Sequence, residues 1–404
     1  MKQRVYEMLM MLNQAPLVRY ISGLAPKEQD HLIKQLESLD LSVLEANEQE
    51  LRRGKIDPLR PVTLAELEPH RSEYRKLGLK AIREGKVGAV LLAGGQGSRL
   101  GFDKPKGMFN IGEDRELYIF ECLINNLLEV TREADAPVPL FVMTSVQNQA
   151  ETQEFFRAHN FFGYSEENTW FFAQEELPTI DQNGKLMLSD PLKISTAPNG
   201  NGGWYASMER SGMLKVIRDS QIEWLNVFAV DNVLQRIADP CFIGAVIASG
   251  MDAGSKVVKK TNPEEKVGMM CLEDGAPSIV EYYELPEELK NLRNPDGSLT
   301  FNYGVILNYL FRVDCLNRTL RIKLPLHKAF KRIKYYNNKQ GFVNPENPNA
   351  FKFETLALDM VRLQKSCLAY EVERNKEFAP VKNKSGADSA DTARQMLKAN
   401  GVTL

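Results

Sequence analysis

No segment of this chain is apolar for long enough to cross a bilayer; the best N-terminal candidate, Met8 to Leu12, spans five residues and stops at Asn13. Charge of one sign is also missing. Lys and Arg number 51 against 53 Asp and Glu, a net charge of -2, so nothing global favours nucleic acid or an anionic membrane, and any phosphate binding must be local. Histidine is scarce: His31, His70, His159 and His327 do not cluster and match no Ser-His-Asp or Cys-His hydrolase arrangement. The five cysteines, Cys122, Cys241, Cys271, Cys315 and Cys367, are odd in number and far apart, with no C-x-x-C pair and no histidines at zinc spacing. They read as reduced packing residues, and a cytoplasmic protein is expected.

What is present is the composition of a large globular protein. With 404 residues, 43% hydrophobic and 26% charged, the chain can form two or three domains around a substantial core. Residues 1–80 are leucine-rich and charged, with few glycines and no alternating pattern, which predicts a helical N-terminal segment. Pro26 fits the first turn of a helix whose Leu32, Ile33, Leu36 and Leu39 share one face. Pro58 and Pro61 mark a linker. From Val87 onward, strands (Val87 to Ala93, Leu140 to Ser145, Trp224 to Val230) alternate with helical spacing over Glu116 to Val130 and Thr152 to His159. That order predicts an α/β protein with a parallel, doubly wound sheet. Hairpin-like runs at Lys256 to Lys260 and Val267 to Glu273 follow, then the turn Asn294-Pro295-Asp296-Gly297, and Lys339 to Pro348 reads as a loop.

Ligands of such sheets bind outside the carboxyl ends of the strands, and the three runs end in Gly94-Gly95, Thr144-Ser145 and Asp231-Asn232. The first is the most informative. Small aliphatics give way to Gly94-Gly95-Gln96-Gly97-Ser98-Arg99-Leu100-Gly101 and then Lys104-Pro105-Lys106-Gly107. Glycines let backbone N–H groups approach an anion, and the cations pair with phosphate oxygens. The spacing is not that of a P-loop, and Gly95, Gly97 and Gly101 run one residue longer than the dinucleotide fingerprint. An NAD enzyme would also need an acidic residue closing the second strand, where Thr144-Ser145 stands. Farther on, Pro198-Asn199-Gly200-Asn201-Gly202-Gly203 forms a loop of small residues ahead of Trp204-Tyr205. Asp231 ends an apolar strand, either as a cap for a helix near Gln235 or as a metal ligand.

The glycine and Pro105-Lys106-Gly107-Met108 motifs resemble the signature of the eukaryotic-type UDP-sugar pyrophosphorylases, and within that family most nearly the UDP-N-acetylglucosamine branch. Further motifs recur in the family's order: Met143-Thr144-Ser145, Ala197 to Gly203, Val230-Asp231-Asn232, Lys260-Thr261-Asn262-Pro263 with Val267-Gly268, Val280-Glu281-Tyr282, and Glu377 to Asn383. The resemblance covers roughly residues 85 to 395. It implies a Rossmann-like, GT-A-like nucleotide-diphospho-sugar transferase fold with a mixed sheet flanked by helices. The expected division is a helical segment at 1–80, a catalytic nucleotidyltransferase domain at 81–385 and a short tail at 386–404, without the β-rich C-terminal domain of the family.

The resemblance also implies roles. Arg99, Lys106 and Lys382 would handle the phosphates; Leu92, Gly94, Gly95, Gln174, Gly200 and Asn201 the nucleotide; and Gly268, Glu281 and Asn302 the sugar. Asp231 would hold Mg²⁺ (or Mn²⁺). A departure stands in Asn302-Tyr303-Gly304-Val305, where the N-acetylglucosamine enzymes usually carry Asn-Ala-Gly-Asn. Val305 removes a polar group from the implied sugar pocket. The implied reaction joins UTP to a hexose 1-phosphate, foremost N-acetylglucosamine 1-phosphate, and releases pyrophosphate. Glucose or galactose 1-phosphate and a non-catalytic UDP-sugar binder stay open beside it, as does the oligomeric state.

Overall fold

The computed structural model describes residues 2–44 and 53–404; Met1 and residues 45–52, part of the expected helical segment, lie outside the described residues. The chain divides into two units, each assembled from separated stretches: residues 1–52, 174–203 and 324–356, and residues 53–173, 204–323 and 357–404.

The larger unit is built on a ten-stranded sheet. Its strands are β1 (Ile56–Pro58), β2 (Val87–Leu92), β3 (Leu140–Thr144), β4 (Thr169–Ala173), β5 (Trp224–Ala229), β6 (Ala253–Lys259), β7 (Met269–Glu273), β8 (Ala276–Val280), β9 (Tyr303–Arg312) and β10 (Cys367–Glu371). Strands β4, β3, β2 and β5 lie side by side and parallel. β9 then pairs antiparallel with β5, and β6 and β7 pair antiparallel with β9. The sheet is therefore mixed, as the family resemblance implies, and not wholly parallel as the strand and helix alternation alone predicts. The difference arises after residue 250, where short connections such as the Asp274-Gly275 turn between β7 and β8 join antiparallel neighbours.

Every residue of β2, β3 and β5 is buried, which is why these strands read as unbroken apolar runs. Helices Ile119–Ala134 and Pro240–Ser249 contribute Phe120, Leu123, Leu127, Phe242, Ile243 and Val246 to the same core. Pro58, expected in a linker, instead closes β1 at the sheet edge, where its missing N–H costs no central ladder bond. Residues 386–404 do more than trail. Helix Ala390–Ala399 is capped by Ser389, buries Ala390, Ala393 and Leu397, and brings the Leu404 carbonyl to accept from the Asp114 N–H at 2.9 Å.

Helices Arg71–Arg83 and Pro240–Ser249 meet backbone to backbone through glycine. A methyl group on Gly244 would stand 1.8 Å from the Tyr74 carbonyl oxygen, and one on Gly78 1.9 Å from that of Pro240. Gly244→Ala must push the helices apart and is expected to cost about 1–3 kcal/mol or more. An unchanged urea unfolding midpoint would contradict this packing.

In the smaller unit, residues 2–38 form helices Lys2–Met11, Ala15–Ser22 and Pro26–Ser38, while residues 53–80 of the expected helical segment belong to the larger unit. Leu9, Ile21, Leu32, Ile33 and Leu36 pack with Leu177, Ile180, Leu188, Ile194 and Phe353 from the other stretches. Strands Glu176–Pro178 and Thr196–Pro198 pair as an antiparallel ribbon. The expected loop at 339–348 contains a strand, Gly341–Val343, paired with Tyr335–Asn337. Asn337 Oδ1 accepts from the Lys339 and Gln340 N–H groups, and Gly341 takes a φ of +75°. Polar and glycine residues here build a tight hairpin, which their composition alone does not distinguish from a loop. Among the described residues, no helix is long and apolar enough to cross a membrane.

Candidate active site

The order β4-β3-β2-β5 runs outward in both directions from the β2/β5 pair, so the chain's topological switch lies between those strands. Ala229 is in register with Leu92, and the Val230 N–H donates to the Leu92 carbonyl. Gly94 and Asp231 therefore leave the sheet side by side at the carboxyl ends, the place where open α/β sheets take their ligands.

The glycine loop is held open by its own backbone rather than by a following helix. The Gly97 N–H donates to the Lys104 carbonyl at 2.9 Å and the Lys106 N–H to that of Gly95 at 3.1 Å. A Cβ on Gly107 would fall 2.2 Å from the Phe120 ring, so only glycine lets this turn lie against the core. Asn148, fully buried, grips the loop from the neighbouring strand end. Its Nδ2 donates to the Ala93 and Gly94 carbonyls, and its Oδ1 accepts from the Ser145 N–H.

Lys106 brings the predicted residues together. Burial pushes its ammonium below the ordinary lysine range, Asp231 pulls it back up, and Arg99 and Lys382 lower it further. Three cations and one carboxylate thus share a partly desolvated space. Such a cluster repels itself, and an anion among the three cations would relieve that repulsion. Arg99 is exposed and makes no ion pair among the described residues, whereas Lys382 Nζ lies 3.4 Å from Asp388. Asp231 caps no helix, because the next one begins at Pro240 and is capped by Asp239. The Val381 N–H donates to the Asp231 carbonyl at 2.8 Å, and the Asn232 amide bridges the Glu377 carbonyl and the Ala379 N–H. The carboxylate and Lys382 are stitched across two adjoining segments.

The residues expected at the sugar form a second group in the same unit. A Cβ on Gly268 would meet Val305 Cγ2 at 3.4 Å and Glu281 Oε2 at 3.9 Å, and the Val305 N–H donates to the Gly268 carbonyl. The Asn302 carbonyl accepts from the Lys260 N–H. Strand β9 bulges just beyond: Leu307 has a φ of +52°, and pairing with β6 jumps from Tyr309–Ser255 to Val305–Val257. After the bulge, Asn308 Nδ2 donates to Gln235 Oε1 and to the Arg236 carbonyl beneath the Asp231 turn.

Gln174, Gly200 and Asn201 belong to the smaller unit. Glu176 pairs with Pro198, so Gln174 and Gly200 flank one end of that ribbon. Gln174 is buried. Gly200 has a φ of +86°, and its missing Cβ would clash with the Thr355 carbonyl at 2.3 Å. Sequence reading missed Asn148, Gln235 and Asn308 as supports of the site. Asn308 had a legible signal, an amide inside the apolar run Ile306 to Phe311.

The family model described as UTP–glucose-1-phosphate uridylyltransferase matches residues 36–396. The chain belongs to that family. A human relative, UDP-N-acetylhexosamine pyrophosphorylase-like protein 1, is 36% identical, with 98% of this chain aligned to 84% of the relative. The UDP-N-acetylglucosamine pyrophosphorylase of Saccharomyces cerevisiae is 34% identical, covering 94% of this chain and 86% of its own length. Among solved structures, the uridine diphosphate N-acetylglucosamine pyrophosphorylase of Trypanosoma brucei superposes with a TM-score of 0.79 at 26% identity, covering 98% and 84% of the two chains. This member of the uridylyltransferase family thus has a mixed α/β sheet, with the glycine loop and Asp231 at its switch point.

Proposed function

We propose that this chain is a uridylyltransferase that makes UDP-N-acetylglucosamine and pyrophosphate from UTP and N-acetylglucosamine 1-phosphate. The observation that carries the reading is that Asp231, Arg99 and Lys382 all lie near enough to Lys106 to act on its charge, at the adjoining ends of β2 and β5. The relatives' names supply the substrates. A sugar phosphate oxygen attacks the α-phosphorus of UTP in line, the bond to the bridging oxygen of the β-phosphate breaks, and pyrophosphate leaves with that electron pair. The nucleophile is already ionised at neutral pH, so no general base is needed. The protein's contribution is orientation and neutralisation of charge.

Arg99 and Lys106 would bind the triphosphate and the departing pyrophosphate, and Lys382 the incoming phosphate. For the nucleotide, the family resemblance implies Leu92, Gly94 and Gly95 in the larger unit, and Gln174, which would read the uracil, with Gly200 and Asn201 in the smaller unit. Gly268, Glu281 and Asn302 would meet the sugar. No group of three or more metal-ligating side chains occurs among the described residues. A single carboxylate suits Mg²⁺ (or Mn²⁺), which takes one or two carboxylates with phosphate oxygens and water. Asp231 would hold it, and when bound it supplies positive charge to the phosphates. All five cysteines are free thiols, in keeping with a cytoplasmic, reducing setting.

Val305 is the observation that favours a second sugar. Its Cγ2 methyl stands 3.4 Å from the place a Cβ on Gly268 would take, at the position where the family resemblance places an amide. Val305→Asn is expected to raise kcat/KM for N-acetylglucosamine 1-phosphate over glucose 1-phosphate by about tenfold. Pyrophosphate release from UTP, Mg²⁺ and a panel of N-acetylglucosamine, N-acetylgalactosamine, glucose and galactose 1-phosphates tests the assignment. Preference of the wild-type protein for glucose 1-phosphate would replace the named sugar. Release with none of the four, despite UTP binding, would leave a UDP-sugar binder.

A further inference from the structure

Lys256 lies in the middle of β6 with no exposure to solvent, between the small residues Ala253 to Ser255 and the apolar pair Val257-Val258. Its Nζ is 2.5 Å from Glu377 Oε2 and 3.1 Å from Asp239 Oδ2, and donates to the Arg236 carbonyl at 3.2 Å. All three ammonium protons are thus used. Burying one amine and two carboxylates costs desolvation that their attraction does not reliably return, so such a triad is poor evidence of stabilisation as such.

Its placement points to another use. Arg236 and Asp239 belong to the segment that starts at Asp231, while Glu377 begins the segment that ends at Lys382. The Glu377 carboxylate also accepts from the Arg236 N–H at 3.3 Å, and its backbone carbonyl accepts from Asn232 Nδ2 at 2.7 Å. Asp239 Oδ1 accepts from the Cys241 N–H and so fixes the start of the next helix. Asp239 and Glu377 line a cavity of about 670 Å³ whose walls include neither Asp231, Lys106 nor Lys382. The carboxylates therefore act on the reacting groups through the chain.

We propose that Lys256, Glu377 and Asp239 form a positioning device for phosphoryl transfer, in which one buried amine sets the distance between the Asp231 segment and the Lys382 segment. The inference rests on the assignment of Asp231 and Lys382 to the reacting centre. Burial and the neighbouring Asp239 raise the Glu377 carboxyl above its usual range, while Lys256 and Arg236, against the effect of burial, hold Asp239 below its own. One amine thus meets two unequal acceptors, and Glu377 is the one that a neutral amide can replace.

Steady-state kinetics of Lys256→Met, Glu377→Ala and Glu377→Gln test this, with folded fractions taken from near-UV circular dichroism. Misplacement of reacting groups by about 1 Å costs about 10²-fold in rate. Lys256→Met and Glu377→Ala are expected to lose about 10²-fold in kcat per folded molecule, with KM for UTP within about threefold of wild type. Glu377→Gln keeps an acceptor for Lys256 and is expected to stay within about fivefold. A kcat within about threefold of wild type in folded Glu377→Ala, or equal losses in Glu377→Ala and Glu377→Gln, would overturn the proposal. The Glu377 pair decides the matter even where Lys256→Met does not fold. Hydrogen exchange at the Ala379 and Val381 amides gives a readout independent of activity. Faster exchange there in Glu377→Ala, with β2 unchanged, supports the device even for a protein inactive on UTP. Unchanged exchange contradicts it.

Discussion

Lys106→Ala is expected to lower kcat by about 10²–10³-fold, the usual consequence of removing one preorganised charge or donor from a transition state. Stability should hardly change. The ammonium is desolvated beside Arg99 and Lys382, with Asp231 as its favourable neighbour, so its loss removes one attraction but relieves the cost of burial and two repulsions. For a chain of this size 1 kcal/mol moves Tm by no more than about 2–4 °C, and the variant should melt within that margin. Normal turnover would remove Lys106 from the chemistry. A large fall in Tm would make it a structural residue instead.

Asp231→Ala is expected to cost about 10³-fold or more, because neutralisation of phosphate charge by a bound cation is worth several kcal/mol and each 1.36 kcal/mol is a factor of ten. The loss should differ in kind from that of Lys106→Ala. Raising Mg²⁺ or Mn²⁺ should leave Asp231→Ala slow, and UTP should still bind through Arg99 and Lys106. The backbone tie between the Asp231 carbonyl and the Val381 N–H survives the substitution, so the segment bearing Lys382 stays in place. An Asp231→Ala protein with the wild-type response to Mg²⁺ would contradict the assignment of the metal to this carboxylate.

The parts of this site that were legible in the sequence are those where burial leaves a pattern. Strands β2, β3 and β5 are covered on both faces, so each appears as an uninterrupted apolar run, and the polar residues that end each run mark the carboxyl edge of the sheet. The glycine loop is legible because close approach to Phe120 and Phe102 excludes a side chain at Gly107 and Gly97. What was not legible depends on pairing between distant segments. The antiparallel entry of β9 beside β5 leaves no local mark, and β1 ends in a proline that reads as a linker until its edge position is seen. The Asn337 turn and Gly341 hide a hairpin within a stretch of loop-like composition. Lys256 is the clearest case, since a lysine between Ser255 and Val257 reads as an exposed strand residue until Glu377 arrives from 121 residues ahead and Asp239 from the cap of the helix before β6.

The four groups gathered at the ends of β2 and β5 are expected to transfer a uridylyl group. Phosphorus-31 NMR of the protein with UTP, Mg²⁺ and N-acetylglucosamine 1-phosphate tests it most directly, because reactants and products are resolved in one spectrum. The expected result is loss of the UTP signals with matched growth of UDP-N-acetylglucosamine and pyrophosphate, abolished over the same period by Lys106→Ala. An unchanged spectrum with this sugar phosphate, and with the glucose and both galactose-type phosphates, while calorimetry shows UTP bound, would contradict it.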